Sequence, residues 1–312
     1  VPIYLMTGFL ESGKTSFLNF TIQQDYFHTD GKTLLILCEE GEEEYDPAIL
    51  EANNTVVEIV ENEEDFTTDR LVAMDILHQP ERVIIEYNGM WLVSNFEKMQ
   101  LPKGWGVEQQ ITCVDGSTFQ MYMANMKSIF MDIIKNTDMV IFNRCKQDDP
   151  LPTYRRGIKV ANQRAEVIFE DEEGELDDIF QDEMPFDMEA PVIEILPEDY
   201  GIWFVDAMDH PENYDGKTVR FKARVMKPRG MGSKFFVPGR TAMTCCADDT
   251  TFLGYVCKSA YAPKLTPGQW VDVTARVGIE RRSEYQGEEG IVLYAENVEP
   301  CDALEDEMVY FN

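Results

Sequence analysis

The chain has 312 residues, a length that favours about two domains, each large enough to bury its own core. Its 58 acidic and 27 basic residues give a formal charge of −31, which repels phosphate backbones and excludes nucleic acid as an expected partner. No stretch reaches the roughly 18 apolar residues of a membrane span and the first residues form no basic or apolar leader, so a soluble, cytoplasmic chain without membrane insertion is expected.

From residue 3 to about residue 169, short apolar runs alternate with longer helical patterns, the mark of βα units on a mostly parallel sheet. Strands are expected at 3–6, 34–38, 56–60, 83–86, 110–114, 139–142 and 166–169, and helices at 14–24, 66–78, 91–98, 119–135 and 153–160. This predicts a doubly wound α/β domain of the P-loop NTPase kind over residues 1–170. Met121, Met123, Met126 and Met131 recur at helical spacing and are expected to pack under the sheet. Residues 171–200 continue an acidic run and contain Pro185, Pro191 and Pro197. They read as an acidic connector with a short amphipathic piece near Leu176 to Phe180.

Beyond the connector the pattern changes to period two: Val219, Phe221, Ala223 and Val225 alternate with Thr218, Arg220, Lys222 and Arg224. Further strand runs at 242–246, 254–258, 270–277 and 291–298 predict a small all-β, OB-like barrel over residues 201–312. This part carries a net charge of −4 against −27 for residues 1–200, so the charge shifts at the boundary. The run Lys217, Arg220, Lys222, Arg224, Lys227 and Arg229 is expected to be a solvated outer face rather than an oligonucleotide-binding one.

Residues 8–15, Gly-Phe-Leu-Glu-Ser-Gly-Lys-Thr, fit the pattern G-x-x-x-x-G-K-[ST] between an expected strand and an expected helix. Glycines at 8 and 13 let backbone N–H groups point inward at phosphate oxygens, and the helix opening near Gly13 adds the positive end of its dipole. Lys14 supplies a charge for the β and γ phosphates, and the Thr15 hydroxyl is a ligand for Mg²⁺. Gly8, Glu11, Ser12, Gly13, Lys14, Thr15 and Ser16 are therefore the expected nucleotide contacts. Residues 82–86 form an apolar strand ending in Glu86, with Gly89 three residues on, as for a metal-side acid and a γ-phosphate N–H. Residues 139–143 form another, ending in Asn143 where a purine base is read.

The order G-F-L-x-S-G-K-T, E-x-x-G, V-D-G at 114–116 and an Asn-plus-basic pair at Asn143 and Arg144 resembles the CobW-type GTPases, relatives of metallochaperones for nickel and cobalt enzymes. The resemblance covers about residues 3–169 and implies slow GTP hydrolysis coupled to delivery of a transition metal to a client protein. It also implies Glu39 and Glu42 as metal or water-positioning acids, Glu86 and Gly89 as the second switch, and Asn162 beside the nucleotide.

Two positions depart from the family pattern. Where its C-x-C-C loop belongs, residues 61–65 are Glu-Asn-Glu-Glu-Asp, hard oxygens that suit Mg²⁺-like ions or simply form a solvated loop capping the next helix. Lys146 stands where an Asp would accept from guanine, and a lysine cannot accept. GTP or GDP is thus the expected nucleotide and ATP the alternative.

In the C-terminal part, Cys245-Cys246, Cys257 and Gly268-Gln-Trp270 resemble a Cys-Cys domain of unknown function found in proteins associated with putative permeases. With Cys38, Cys113, Cys145 and Cys301 these cysteines are expected as reduced thiols. Cys245, Cys246 and Cys257 are candidate metal ligands, with buried small hydrophobes as the commoner outcome. Two functional classes follow: an Mg²⁺-dependent NTPase using Lys14, Glu39, Glu42 and Glu86, or a nucleotide-regulated metal-binding or interaction switch with little hydrolysis.

Overall fold

The computed structural model describes every residue except 147, 177–183, 245–249, 286 and 311–312. The chain divides into two compact units, Val1–Leu151 with Ala161–Ile179, and Pro152–Val160 with Phe180–Asn312.

In the first unit the order is β1 (Pro2–Thr7), α1 (Lys14–Ile22), β2 (Thr33–Leu37), α2 (Pro47–Ala52), β3 (Thr55–Ile59), α3 (Thr68–His78), β4 (Arg82–Glu86), α4 (Val93–Lys98), β5 (Gly106–Asp115), α5 (Gly116–Ile134), β6 (Met139–Asn143) and β7 (Glu166–Phe169), while α6 (Leu151–Ala161), which precedes β7 in the chain, belongs to the second unit apart from its two end residues. The seven strands form one parallel sheet in the order β3-β2-β4-β1-β5-β6-β7. Its central strands are apolar on both faces, with Ile3, Leu5, Val83, Ile84 and Ile85 buried, as a sheet covered by helices requires. From β1 the chain runs outward to β2 and β3, returns to β4, and then continues on the other side of β1 with β5. The reversal makes the carboxyl end of β1 the switch point where such sheets bind ligands. Leu18 and Ile22 of α1 pack on Met6, Leu35, Ile84, Ile111 and Ile141, which fixes the helix that follows the loop.

Two local expectations change. α2 was not foreseen, although Asp46 caps it by accepting from Ala48 N and Pro47 begins it. α5 starts at Gly116, where Asp115 accepts from Ser117 N, and it breaks at Met126 (φ −133°, ψ 27°). The break takes the methionines out of one stripe: of the four, Met131 alone is buried and Met121 is 56% exposed.

The second unit contains β8 (Ile193–Glu194), α7 (Tyr200–Asp209), β9 (Thr218–Met226), β10 (Phe235–Met243), β11 (Thr250–Gly254), β12 (Val256–Lys258), β13 (Trp270–Arg281), β14 (Glu289–Pro300) and β15 (Met308–Val309). Pairings β9–β10, β10–β12, β12–β14, β14–β13 and β13–β9 close a ring of five strands, parallel only at β12–β14. This is the OB-like barrel. Trp203, Tyr200 and Phe204 of α7 pack with Phe221, Val273 and Leu293 in its core.

The segment expected to be a connector takes part in this unit. Phe186, Ile193 and Ile195 are buried in the barrel core, and β8 pairs with β9. Most of the amphipathic piece expected near Leu176 to Phe180 lies outside the described residues. The basic run of β9 meets acids and carbonyls: Arg220 bonds both Asp272 oxygens at 2.9 and 3.0 Å, Arg224 lies 3.6 Å from Glu307, and Lys227 donates to Ala262 O and Leu265 O. Arg240, 2% exposed, donates to Pro197 O, to Asp306 O and to Met308 O, and its guanidinium faces the Tyr200 ring. No helix among the described residues is long and apolar enough to cross a membrane.

Candidate functional site

The loop after β1 turns at residues that accept unusual backbone angles. Gly13 has φ +93°, and a Cβ there would stand 2.6 Å from Asn143 Nδ2. Gly13 is also the N-cap of α1 and provides no side-chain cap, so the first N–H groups of the helix are left without a capping side chain. Such groups, with the helix dipole, suit an anion.

Lys14, 3% exposed, points back across the loop. Its ammonium donates to Gly8 O at 2.9 Å, to Phe9 O at 2.9 Å and to Glu39 Oε1 at 2.5 Å. The second Glu39 oxygen accepts from Gly89 N at 3.3 Å. Gly89 sits against the loop so closely that a Cβ would lie 2.5 Å from Gly8 O, which is why this position needs glycine. Thr15 Oγ1 donates to Glu86 Oε1 at 2.8 Å, and the Tyr45 hydroxyl donates to Glu86 Oε2. Burial raises the Glu86 carboxyl above its ordinary value, against the opposing effects of Tyr45 and Lys14. Burial, followed by the Glu86 charge, also raises the Tyr45 hydroxyl.

The segment from Glu39 to Tyr45 lies over this loop. Glu42 N donates to Glu11 Oε1 at 2.9 Å, while the Glu42 side chain is exposed. Ser16 Oγ donates to Glu43 Oε2. Beneath it, a cavity of about 30 Å³ is lined by the loop, Glu39, Gly41, Glu43, Glu86 and Arg144. A neighbouring cavity of about 280 Å³ is lined by Thr15, Glu39, Glu40, Glu43, Glu44, Tyr45 and Glu86.

On the other side of the loop, Asn143 Nδ2 donates to Ser12 O at 2.7 Å. Arg144 Nη1 donates to Glu11 O at 2.9 Å and to Asp115 Oδ2 at 2.6 Å. Burial works against the Asp115 charge, but hydrogen bonds from Ser117 and Arg144 hold its carboxyl below the usual value. Lys146 N donates to Asp149 Oδ2 at 2.8 Å, so that carboxylate caps a turn.

The residues fit a phosphate chain with Mg²⁺. Ser12 Oγ and Asn143 Oδ1 are buried without a hydrogen-bond partner, and Thr15 and Glu86 offer adjacent hard oxygens of the kind Mg²⁺ takes.

Gly8, Glu11, Ser12, Gly13, Lys14, Thr15, Ser16, Glu39, Glu86, Gly89, Asn143 and Arg144 are thus brought together. Asn162 is not. Its amide donates to Ile134 O at 2.9 Å and Thr137 O at 2.7 Å, at the start of β6, whereas the phosphate loop lies by the strand ends. The expectation that it lies beside the nucleotide is corrected: it ties the end of α5 to β6.

Residues 61–65 form an exposed turn, with Asn62 donating to Asp65 and Asn95 to Glu63. Among the described residues no group of three or more His, Cys, Asp or Glu is placed to hold a metal ion. Cys257 is fully buried in the barrel core, where burial pushes its thiol up to about 12. Cys245 and Cys246 lie outside the described residues. Burial also pushes Cys113 and Cys145 to about 12 and raises Cys38. A thiol alkylating agent applied to native protein is therefore expected to spare Cys38, Cys113, Cys145 and Cys257, as read by peptide mass spectrometry. Rapid labelling of Cys257 would contradict its placement.

Tyr45 and Asp115 were missed as site residues. The signal for Asp115 was its place in the V-D-G stretch at a strand end, and for Tyr45 its being the one aromatic within an acidic run.

The profile of the CobW/HypB/UreG nucleotide-binding domain matches residues 2–169, and that of the DUF1980 C-terminal domain matches residues 173–311. Among solved structures, the hydrogenase maturation factor HypB from Archaeoglobus fulgidus is 16% identical, covering 55% of this chain and 81% of that one, with a TM-score of 0.38. The Zn(II)-bound YjiA GTPase from E. coli is 16% identical over 81% of this chain and 88% of that one, with a TM-score of 0.44. The mitochondrial single-stranded DNA-binding protein Rim1 from S. cerevisiae is 11% identical over 28% of this chain and 97% of that one, with a TM-score of 0.18. No curated protein matches the chain. Since the first profile spans more than half of the sequence and ends with the sheet that carries the phosphate loop, the chain belongs to the CobW/HypB/UreG nucleotide-binding family.

Proposed function

We infer that the first unit binds GTP with Mg²⁺ and hydrolyses it slowly, as a nucleotide-operated switch. The observation that carries this reading is the meeting of Lys14, Thr15, Glu86, Gly89 and the uncapped start of α1 at the carboxyl end of β1. Lys14 and the helix N–H groups stabilise negative charge on the phosphate chain. Thr15 and Glu86 would hold Mg²⁺, which neutralises charge on phosphate oxygens when bound. Of the two acids expected to orient water, Glu39 lines the site, whereas Glu42 has an exposed side chain and reaches it through its backbone N–H alone. Arg144, the arginine that lines the small cavity, is held by Asp115 and Glu11 O. It is therefore not free to act on the transferred group, and slow turnover follows.

Asn143 reads the purine, and guanine is favoured by the family. With Asp149 turned to Lys146 N, ATP is the alternative base. The family's metal-handling role would fall to Glu39, Glu42 or the Cys245-Cys246 pair, with a metal-receiving client as partner.

Titration with fluorescent GTP and ATP separately, followed by measurement of phosphate release, tests this reading. Chelating Mg²⁺, or Thr15→Ala, is expected to lower release by at least about tenfold. Equal release with and without Mg²⁺ would discard it.

Acidification adds a second readout, because Mg²⁺ takes the carboxylate form of Glu86. Its affinity should fall as pH drops through a value above the ordinary 4.5. Without metal the sign reverses: a carboxyl raised by burial favours the fold when protonated, and that contribution is lost as pH rises through its folded value.

A further inference from the structure

An ammonium has three donors, and all three of Lys14's are engaged, by Gly8 O, Phe9 O and Glu39 Oε1. The first two acceptors are backbone of the same loop, so Glu39 is the partner that can leave. Its other oxygen takes Gly89 N, the amide that the second switch offers to a terminal phosphate. One carboxylate thus holds both groups that a γ-phosphate needs. Glu39 lines both the cavity of about 30 Å³ over the loop and its neighbour of about 280 Å³.

We propose that Glu39 is the residue that sets selectivity for phosphate-chain length, its carboxylate acting as a built-in surrogate of the terminal phosphate. The proposal rests on the nucleotide reading given above. A triphosphate must take both Lys14 and Gly89 from Glu39, and its γ-phosphate would otherwise lie beside a like charge. A diphosphate contests Lys14 alone. The protein therefore favours the diphosphate more than a P-loop without this contact would, and arrival of the third phosphate releases the acidic segment at its first residue. Glu43 provides an internal comparison. It sits on the same segment but holds Ser16, toward the other end of the loop, so it should act on both nucleotides alike.

The test is titration of the full chain with fluorescent guanosine di- and triphosphate in Mg²⁺, for wild type, Glu39→Gln, Glu39→Ala and Glu43→Gln. Glu39→Gln removes the charge, and Glu39→Ala removes the contact as well. Both are expected to raise the ratio of triphosphate to diphosphate affinity by about tenfold, whereas Glu43→Gln leaves the ratio unchanged. Thermal melting checks that each variant folds, and the triphosphate should raise the melting temperature of Glu39→Ala more than that of wild type.

An unchanged or lower ratio in Glu39→Ala, with diphosphate still bound, would overturn the proposal while leaving the nucleotide site intact. Binding of neither nucleotide by any of the four folded proteins would overturn the nucleotide reading itself, and the proposal with it.

Discussion

Replacing Lys14 by Ala is expected to cut phosphate release by about 10²–10³-fold, the loss typical when one preorganised donor to developing charge is removed. The size follows from burial. Lys14 is 3% exposed, so its charge acts on the phosphate chain with little water to screen it. Among the described residues, the other basic side chain lining the small cavity is Arg144, which is held by Asp115 on the far side of the loop.

Lys14→Ala also strands the Glu39 carboxylate, which retains Gly89 N as its remaining partner. An unpaired, partly buried charge is costly, so part of the loss could arise from a loosened loop. Circular dichroism melting separates the two effects, and a variant that melts near wild type yet has lost turnover identifies a direct role. Equal turnover in Lys14→Ala and wild type would remove the phosphate loop from the chemistry.

The largest effect on stability is expected in the barrel. Trp203 is fully buried, with ring centroids 4.8 Å from Phe221, 5.4 Å from Tyr200 and 5.7 Å from Tyr255. Trp203→Ala should destabilise the second unit by about 3–5 kcal/mol, through lost burial and the cavity left behind.

The indole N–H has no acceptor among the described residues. Burying such a donor unpaired costs about 1–3 kcal/mol, so Trp203→Phe removes that penalty while giving up ring volume and should lose much less than Trp203→Ala. Denaturant midpoints of the three proteins check the order. A Phe variant as weak as the Ala variant would mean that the indole N–H has found an acceptor.

The parts of this fold that were legible in the sequence are those set by local pattern. All seven strands of the parallel sheet lie within a few residues of their apolar runs, because a strand covered on both faces is a continuous hydrophobic stretch. The phosphate loop is fixed by glycine spacing between a strand and a helix, which is also local.

α7 was hidden by its own burial. Tyr200, Gly201, Trp203, Phe204, Val205 and Ala207 are all buried, and the half-buried strip of Ile202, Asp206 and Asp209 holds two polar residues, too few to show a clear 3.6-residue period. The stretch expected to be a connector is acidic and proline-rich on average, which masks the short alternation of buried Ile193 and Ile195 with exposed Glu194 and Leu196.

The contacts that define the site were not legible. Glu39 meets Lys14 across 25 residues and Gly89 across 50, and Tyr45 meets Glu86 across 41. No spacing rule spans such separations. Asn162 shows the converse error: a short pattern suggested a ligand contact, yet the chain spends that amide on the carbonyls of Ile134 and Thr137.

Arg240 has a consequence for how the second unit comes apart. A single guanidinium fastens Pro197, on the approach to α7, to Asp306 just before the final strand and to Met308 within it. Peeling away the tail would leave a buried cation with two fewer oxygens, and the strain would be felt on the way into the barrel. Fraying at one end of this unit is therefore transmitted to the other, and the two should open together.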